Sequence, residues 1–223
     1  MNAVTAFFDK LGWAIVQRTY EHLELCFFSV LIAVAIALPL GIVLTRCRWT
    51  RLADTVMLAA AVIQTIPTLA LIALIMLLFA LLPLQAIGTV PAMVALVLYA
   101  LLPVLRNTYT GIRQVDPTLI EVARGLGMRP RQILLAVELP LSLPVIMAGI
   151  RISTVWTIGI ATLASLIGAG GLGDLIFIGL RTIQIDYLLA GTIPAALMAI
   201  IFDNALVRAE RWLTPEGLRE ERK

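Results

Sequence analysis

Few side chains in this sequence could do chemistry, and most of them interrupt long apolar runs. Arg151 and Asp203 each fall inside an apolar stretch, where a lone charge is costly and a pair is less so. Trp156 offers an aromatic face that attracts a quaternary ammonium group, or else packs against lipid or another helix. Gln64, Thr65 and Thr68 surround Pro67, which frees a backbone carbonyl inside a helix and leaves polar groups to satisfy it or to line a pore. The segment from Glu121 to Pro140 gathers Glu121, Arg124, Arg129, Arg131 and Glu138 between apolar runs. No acidic pair, Ser/His or Cys/His arrangement stands out, so neither a catalytic nor a metal site is expected. His22 has no ligand partners in the pattern and reads as structural.

The elements that position these residues are membrane spans. Of the 223 residues, 61% are hydrophobic and 14% charged, and the mean hydropathy is +0.98. A soluble domain carries about 25% charged residues, so an all-α polytopic membrane protein is expected. A spanning helix needs about 20 mostly apolar residues. Five stretches come close, at about 25–45, 56–82 with a bend at Pro67, 90–105, 143–167 and 187–207. Ahead of them Val4, Phe7, Phe8, Leu11 and Ile15 share one helical face, so residues 1–20 read as an amphipathic helix lying on the outer interface. Residues 21–207 form the membrane domain and 208–223 a cytoplasmic tail. Cys26 and Cys47 lie roughly 30 Å apart along one helix, beyond disulfide reach. No cleavable signal peptide is visible at the start.

The basic residues set the orientation. With the N-terminus outside, thirteen of the 17 Lys and Arg residues fall in inner segments. Only Lys10, Arg18 and Arg181 are then outside, and Arg151 lies within a span. The net charge of +3 is explained by these loops and is no signal of nucleic-acid binding. The loop at 106–140 then faces the cytoplasm. Asp116-Pro117 suits a helix start, Thr118 to Leu126 a short helix, and Gly127 its left-handed end. Pro130 starts a second short helix through Glu138, which Leu139-Pro140 should break before the fourth span. Two helices with a glycine elbow make a compact knob that a partner can move as a rigid body.

Glu121-Val122-Ala123, three residues, Gly127, nine residues, then Val137-Glu138-Leu139-Pro140 resembles the Glu-Ala-Ala loop signature of bacterial ABC importer permeases. Val122 and Val137 depart conservatively from it. The Gln64-Thr65-Ile66-Pro67 block, the Arg106-to-Ile112 block and the Gly168-Ala169-Gly170-Gly171-Leu172-Gly173 turn resemble the osmoprotectant branch, whose importers carry glycine betaine, choline, carnitine or proline betaine. The resemblance covers about residues 20 to 207.

That resemblance implies a type I ABC importer permease core like that of the methionine importers, in the bacterial cytoplasmic (inner) membrane. It makes Glu121, Ala123 and Gly127 the ATPase-coupling positions, with Arg124, Gly125, Arg129 and Arg131 beside them. Gln64, Thr65, Pro67, Trp156, Gly168, Gly170 and Gly171 become candidates for gate or path. The glycine turn lacks the Lys and Ser/Thr of a phosphate loop, and no ATP-binding motif occurs, so ATP and Mg belong to partner subunits. The implied partners are two ABC ATPase subunits, a second permease subunit, identical or paralogous, and an extracytoplasmic substrate-binding protein, all around the lipid bilayer. A permease for another small solute such as an amino acid, and a membrane scaffold or intramembrane enzyme, remain the alternatives.

Overall fold

The computed structural model describes residues 3–47 and 50–214, and among these it is helical with no strand. Helix α1 runs Ala3–Arg46, α2 Thr50–Thr65, α3 Thr68–Leu81 and α4 Thr89–Arg113. The short α5 (Pro117–Gly125) and α6 (Pro130–Ile133) follow, then a π-helical turn at Leu134–Glu138 and α7 (Leu139–Ala164). A 3₁₀ turn at Ser165–Ile167, α8 (Leu172–Thr182) and α9 (Ile185–Leu213) complete the described residues. Four helices are long and apolar enough to cross a membrane, and α2 with α3 makes a fifth crossing if the bent pair is one span.

That pair is one broken span. Its axes meet at 104° around Pro67, a sharper break than a kinked helix. The pyrrolidine ring cannot donate to the helix ladder and pushes Ile66 out of the helical region. The exposed ends are then caught by α4: Tyr99 Oη donates to the Ile66 carbonyl, and Gln64 Nε2 donates to the Tyr99 carbonyl at 2.8 Å. Before the break, Ala53 and Ala60 pack with Leu44 and Leu105 at the end of the bundle that holds Arg46. After it, Leu71, Ile72 and Ile75 pack with Leu96 and Ile167, and the Gly88 amide bonds the Ile167 carbonyl at 2.8 Å. The two halves therefore finish at opposite ends of the molecule.

Helix α4 is the central post, with residues from Pro91 to Ile112 buried along one face. Ala33, Ala37, Ala92, Ala95, Ala100 and Ala161 are almost fully covered. Such small side chains let helices approach closely where lipid supplies no hydrophobic drive for association.

The structure adjusts several expectations. Residues 1–20 are not a separate helix: the described part continues unbroken into the first span. Leu11 is 2% exposed, and Phe7 and Ile15 pack against the same core, so this face seats on protein; the side chains of Val4 and Phe8 lie outside the described residues. The third span, expected at about 90–105, runs further into its C-terminal flank, over Thr89–Arg113. Leu139-Pro140 does not end the second loop helix, because the chain widens into a π turn there. The Leu139 amide reaches back five residues to the Leu134 carbonyl, which clears room for the ring of Pro140. Helix α8, between the glycine turn and the fifth span, was not anticipated. Finally, 208–213 of the expected tail continue α9. Residues 215–223, and Arg48 among the basic residues counted for orientation, lie outside the described residues.

Candidate functional site

The loop between α4 and α7 forms a knob whose start and stop are written locally. The Asp116 carboxylate caps α5 by accepting the Thr118 amide at 2.8 Å, and Pro117 takes the first helical position, where no amide is needed. The Thr118 amide also holds the Asp116 carboxyl below its usual range. At the other end the Met128 amide bonds the Ala123 carbonyl at 3.1 Å and the Gly127 amide bonds the Arg124 carbonyl at 2.9 Å. This paired closure needs a left-handed residue, and Gly127 supplies it at φ +78°. The Arg129 amide then donates to Gln132 Oε1 at 2.8 Å, opening α6.

Burial divides the seven loop positions. Ala123 is 4% exposed and anchors the knob to the bundle. Glu121, Arg124, Gly125, Gly127, Arg129 and Arg131 are exposed. Beside them Leu119, Val122 and Leu126 are 45%, 57% and 78% exposed. The knob thus presents a mixed basic and apolar surface for which the bundle supplies no cover.

The contact of Arg46 with Glu138 behind the knob was not legible in advance. Glu138, 2% exposed, receives both terminal nitrogens of Arg46 from the end of α1, Nη1 to Oε1 at 3.1 Å and Nη2 to Oε2. The intramembrane pair that the sequence offered is formed, with Glu210 as a third member that the sequence did not point to. Arg151 bonds Asp203 in a fork, Nε to Oδ1 at 2.9 Å and Nη2 to Oδ2 at 3.2 Å. Glu210 joins them, 3.8 Å from Arg151 Nη1, about two helical turns beyond Asp203 on α9. Arg151 and Asp203 line a groove of about 560 Å³ between α7 and α9, together with Trp156, Ile152, Ile200 and Asn204. Trp156 is 55% exposed there.

The remaining candidates lie elsewhere. Gln64 is turned to α4, while Thr65 and Pro67 are exposed at the break. At the end of the bundle opposite the knob, Gly168, Gly170 and Gly171 all have left-handed backbones. A Cβ on Gly171 would sit 2.9 Å from His22 Nδ1, so both its conformation and its space require glycine. Its amide donates to Glu21 Oε2 at 3.0 Å. Arg18 bridges Glu21 at 2.7 Å and Asp174 of α8 at 2.9 Å. His22 is fully buried, with Nε2 3.0 Å from the Ile158 carbonyl.

A bundle of five crossings with a protruding helical knob at one end defines an importer permease architecture. The chain belongs to the family of binding-protein-dependent transport system inner membrane components, which matches residues 37–215. It is a multi-pass inner-membrane protein of that class. Its relatives include the choline transport system permease protein OpuBB of Bacillus subtilis, 47% identical over 98% of this chain and 97% of its own length. The carnitine transport permease protein OpuCB of Listeria monocytogenes is 45% identical over 100% of this chain and 98% of its own. The osmoprotectant import permease protein OsmW of Salmonella typhimurium is 41% identical over 98% and 100%. Among solved structures, an inward-facing MetNI methionine ABC transporter superposes with a TM-score of 0.82 at 24% identity, covering 92% of this chain and 98% of that one. That likeness establishes the fold alone.

Proposed function

We propose that this chain is the transmembrane subunit of an ATP-driven importer of quaternary-ammonium osmoprotectants such as choline, carnitine or glycine betaine. The observation that carries the reading is the near-full-length identity of 44–47% to three permeases named for those solutes. The exposed knob supports it, being shaped and charged to seat in a groove of a separate ATPase subunit. The N-terminus lies outside and the C-terminus in the cytoplasm, which puts the knob with its partner. The groove holding Arg151, Asp203 and Trp156 faces a second permease subunit and the solute path, because a third-exposed ion pair is costly against lipid.

In this scheme ATP closes two ATPase subunits, the knobs are drawn together, and the spans pivot so that the path opens to an extracytoplasmic binding protein. Hydrolysis resets the path inward. The test is reconstitution in proteoliposomes with the ATPase subunits, the binding protein and, where present, a paralogous permease. ATP-dependent uptake of labelled choline, carnitine or glycine betaine is expected, with little of methionine. Uptake of methionine alone would replace the solute assignment, and failure to bind any ATPase subunit would reject the transporter reading.

A further inference from the structure

Glu138 sits where the loop helices join the fourth span, and its surroundings are unusual. It closes the π turn, Leu134–Glu138, a wide turn whose extra residue gives a helix a place to shift register. Pro140 fixes the start of α7 immediately after it. The carboxylate is almost fully covered, its side chain 3% exposed, yet it is held by a guanidinium that is 46% exposed. That guanidinium, Arg46, is the last residue of a continuous helix of 44 residues. Arg124 of α5 lies near enough for its charge to bear on Arg46.

The N-terminal half of the same helix is also held by charge. Arg18 reaches Asp174 of α8, and Glu21 accepts the Gly171 amide of the glycine turn. Between Arg18 and Arg46 the helix spans roughly 42 Å. Between these two ionic anchors α1 carries Pro39 and packs against α4 and α7, so a displacement at Arg46 reaches the glycine turn as a small shift of the helix against those neighbours.

We infer that the Arg46–Glu138 contact is the joint through which movement of the cytoplasmic knob is passed to α1, and along it to the glycine turn at the opposite end. Glu138 is a positioning residue in this role, acting on the solute path through Arg46. The inference rests on the transporter reading above. When the knob is displaced, the π turn yields and the carboxylate pulls Arg46 with it, while Arg124 moves against or away from the same cation. Arg46 lies outside the loop signature and Glu138 fills its unassigned position between Val137 and Leu139, so the joint is additional to the docking surface.

The experiment uses the reconstituted complex and reads solute imported per ATP hydrolysed. Glu138→Gln should leave ATPase subunits bound and nucleotide hydrolysed, while the import ratio falls about tenfold, within the span typical of coupling between sites. Arg46→Gln, on the more exposed partner, should give the same ratio even if Glu138→Gln assembles poorly. Glu138→Asp, which keeps the charge, should recover most of the ratio. A merely structural contact would lower uptake and hydrolysis together, in proportion to assembled complex. That result, or an unchanged ratio in both Gln variants, overturns the inference. Wild-type complex that neither hydrolyses ATP nor imports solute would instead reject the transporter reading, and the joint with it.

Discussion

Leu126 gives the sharpest separation of docking from folding. It is 78% exposed on the knob and sits at the C-cap of α5 with φ −75° and ψ 1°, a conformation open to any residue. Truncation to alanine therefore removes almost nothing from the folded subunit. If a partner groove covers the side chain, the exposed three-quarters of a leucine is worth about 2 kcal/mol on burial. That amounts to a roughly 30-fold weaker association. Val122, 57% exposed on the same face, should add about 1 kcal/mol. The assay is titration of detergent-solubilised or nanodisc-held subunit with purified ATPase subunit, alongside thermal unfolding. Leu126→Ala should lower affinity with an unchanged melting temperature, and adding Val122→Ala should lower it further. By contrast Ala123, 4% exposed, should respond to enlargement with a lower melting temperature. Unchanged affinity in the double variant would refute the assignment of this face to the ATPase.

Other outcomes follow from single contacts. Arg151→Gln or Asp203→Asn should each lower thermal stability, toward the smaller end of about 1.5–3 kcal/mol for a charge-assisted bond, since the side chains are 30% and 37% exposed. Exchanging the two, Arg151→Asp with Asp203→Arg, should restore stability only partly, because the carboxylate moved onto α7 would lie beside Glu210; adding Glu210→Gln should improve the rescue. An exchange no better than the single changes would count against the pair. Gly171→Ala should cost at least about 1–2 kcal/mol for its left-handed backbone, with the contact to His22 added, and should appear as a lower melting temperature. At the knob, the depressed Asp116 carboxyl contributes stability that is present above its unfolded value and lost as pH falls through the folded one. Hydrogen exchange at the start of α5 should therefore accelerate below about pH 4, and Asp116→Asn should keep the cap while abolishing that pH dependence.

What the sequence made legible was local. The knob was readable because Asp116, Pro117 and Gly127 each fix a helix boundary within a few residues, and the spans because hydropathy is a property of a window. The expectation of an interfacial helix over residues 1–20 failed for a related reason. Its apolar face was identified correctly at Phe7, Leu11 and Ile15, but periodicity says that a face is covered, not by what, and here the cover is protein. Helix α8 escaped because Gly173, Asp174 and Arg181 break its apolar run, so that it reads as loop until α9 is seen packed against it. At Pro67 the position of the break was plain, while its 104° angle depends on Tyr99, more than thirty residues away, taking the freed carbonyl.

The contacts that matter most for mechanism were the least legible, and the reason is separation in sequence. Arg46 and Glu138 are 92 positions apart, and each alone has an adequate bland explanation: a basic residue at the inner end of a span, and an unassigned position inside a motif. Only the fold reveals that Glu138 is buried and that the first span ends on it. The same holds for Glu210, which looks like part of a charged tail until α9 continues far enough to carry it beside Arg151. In a chain this apolar, a buried carboxylate persists only where a cation meets it. The carboxylates that the fold covers, more than those that the motif exposes, therefore mark where one helix is tied to another and where force can pass between them.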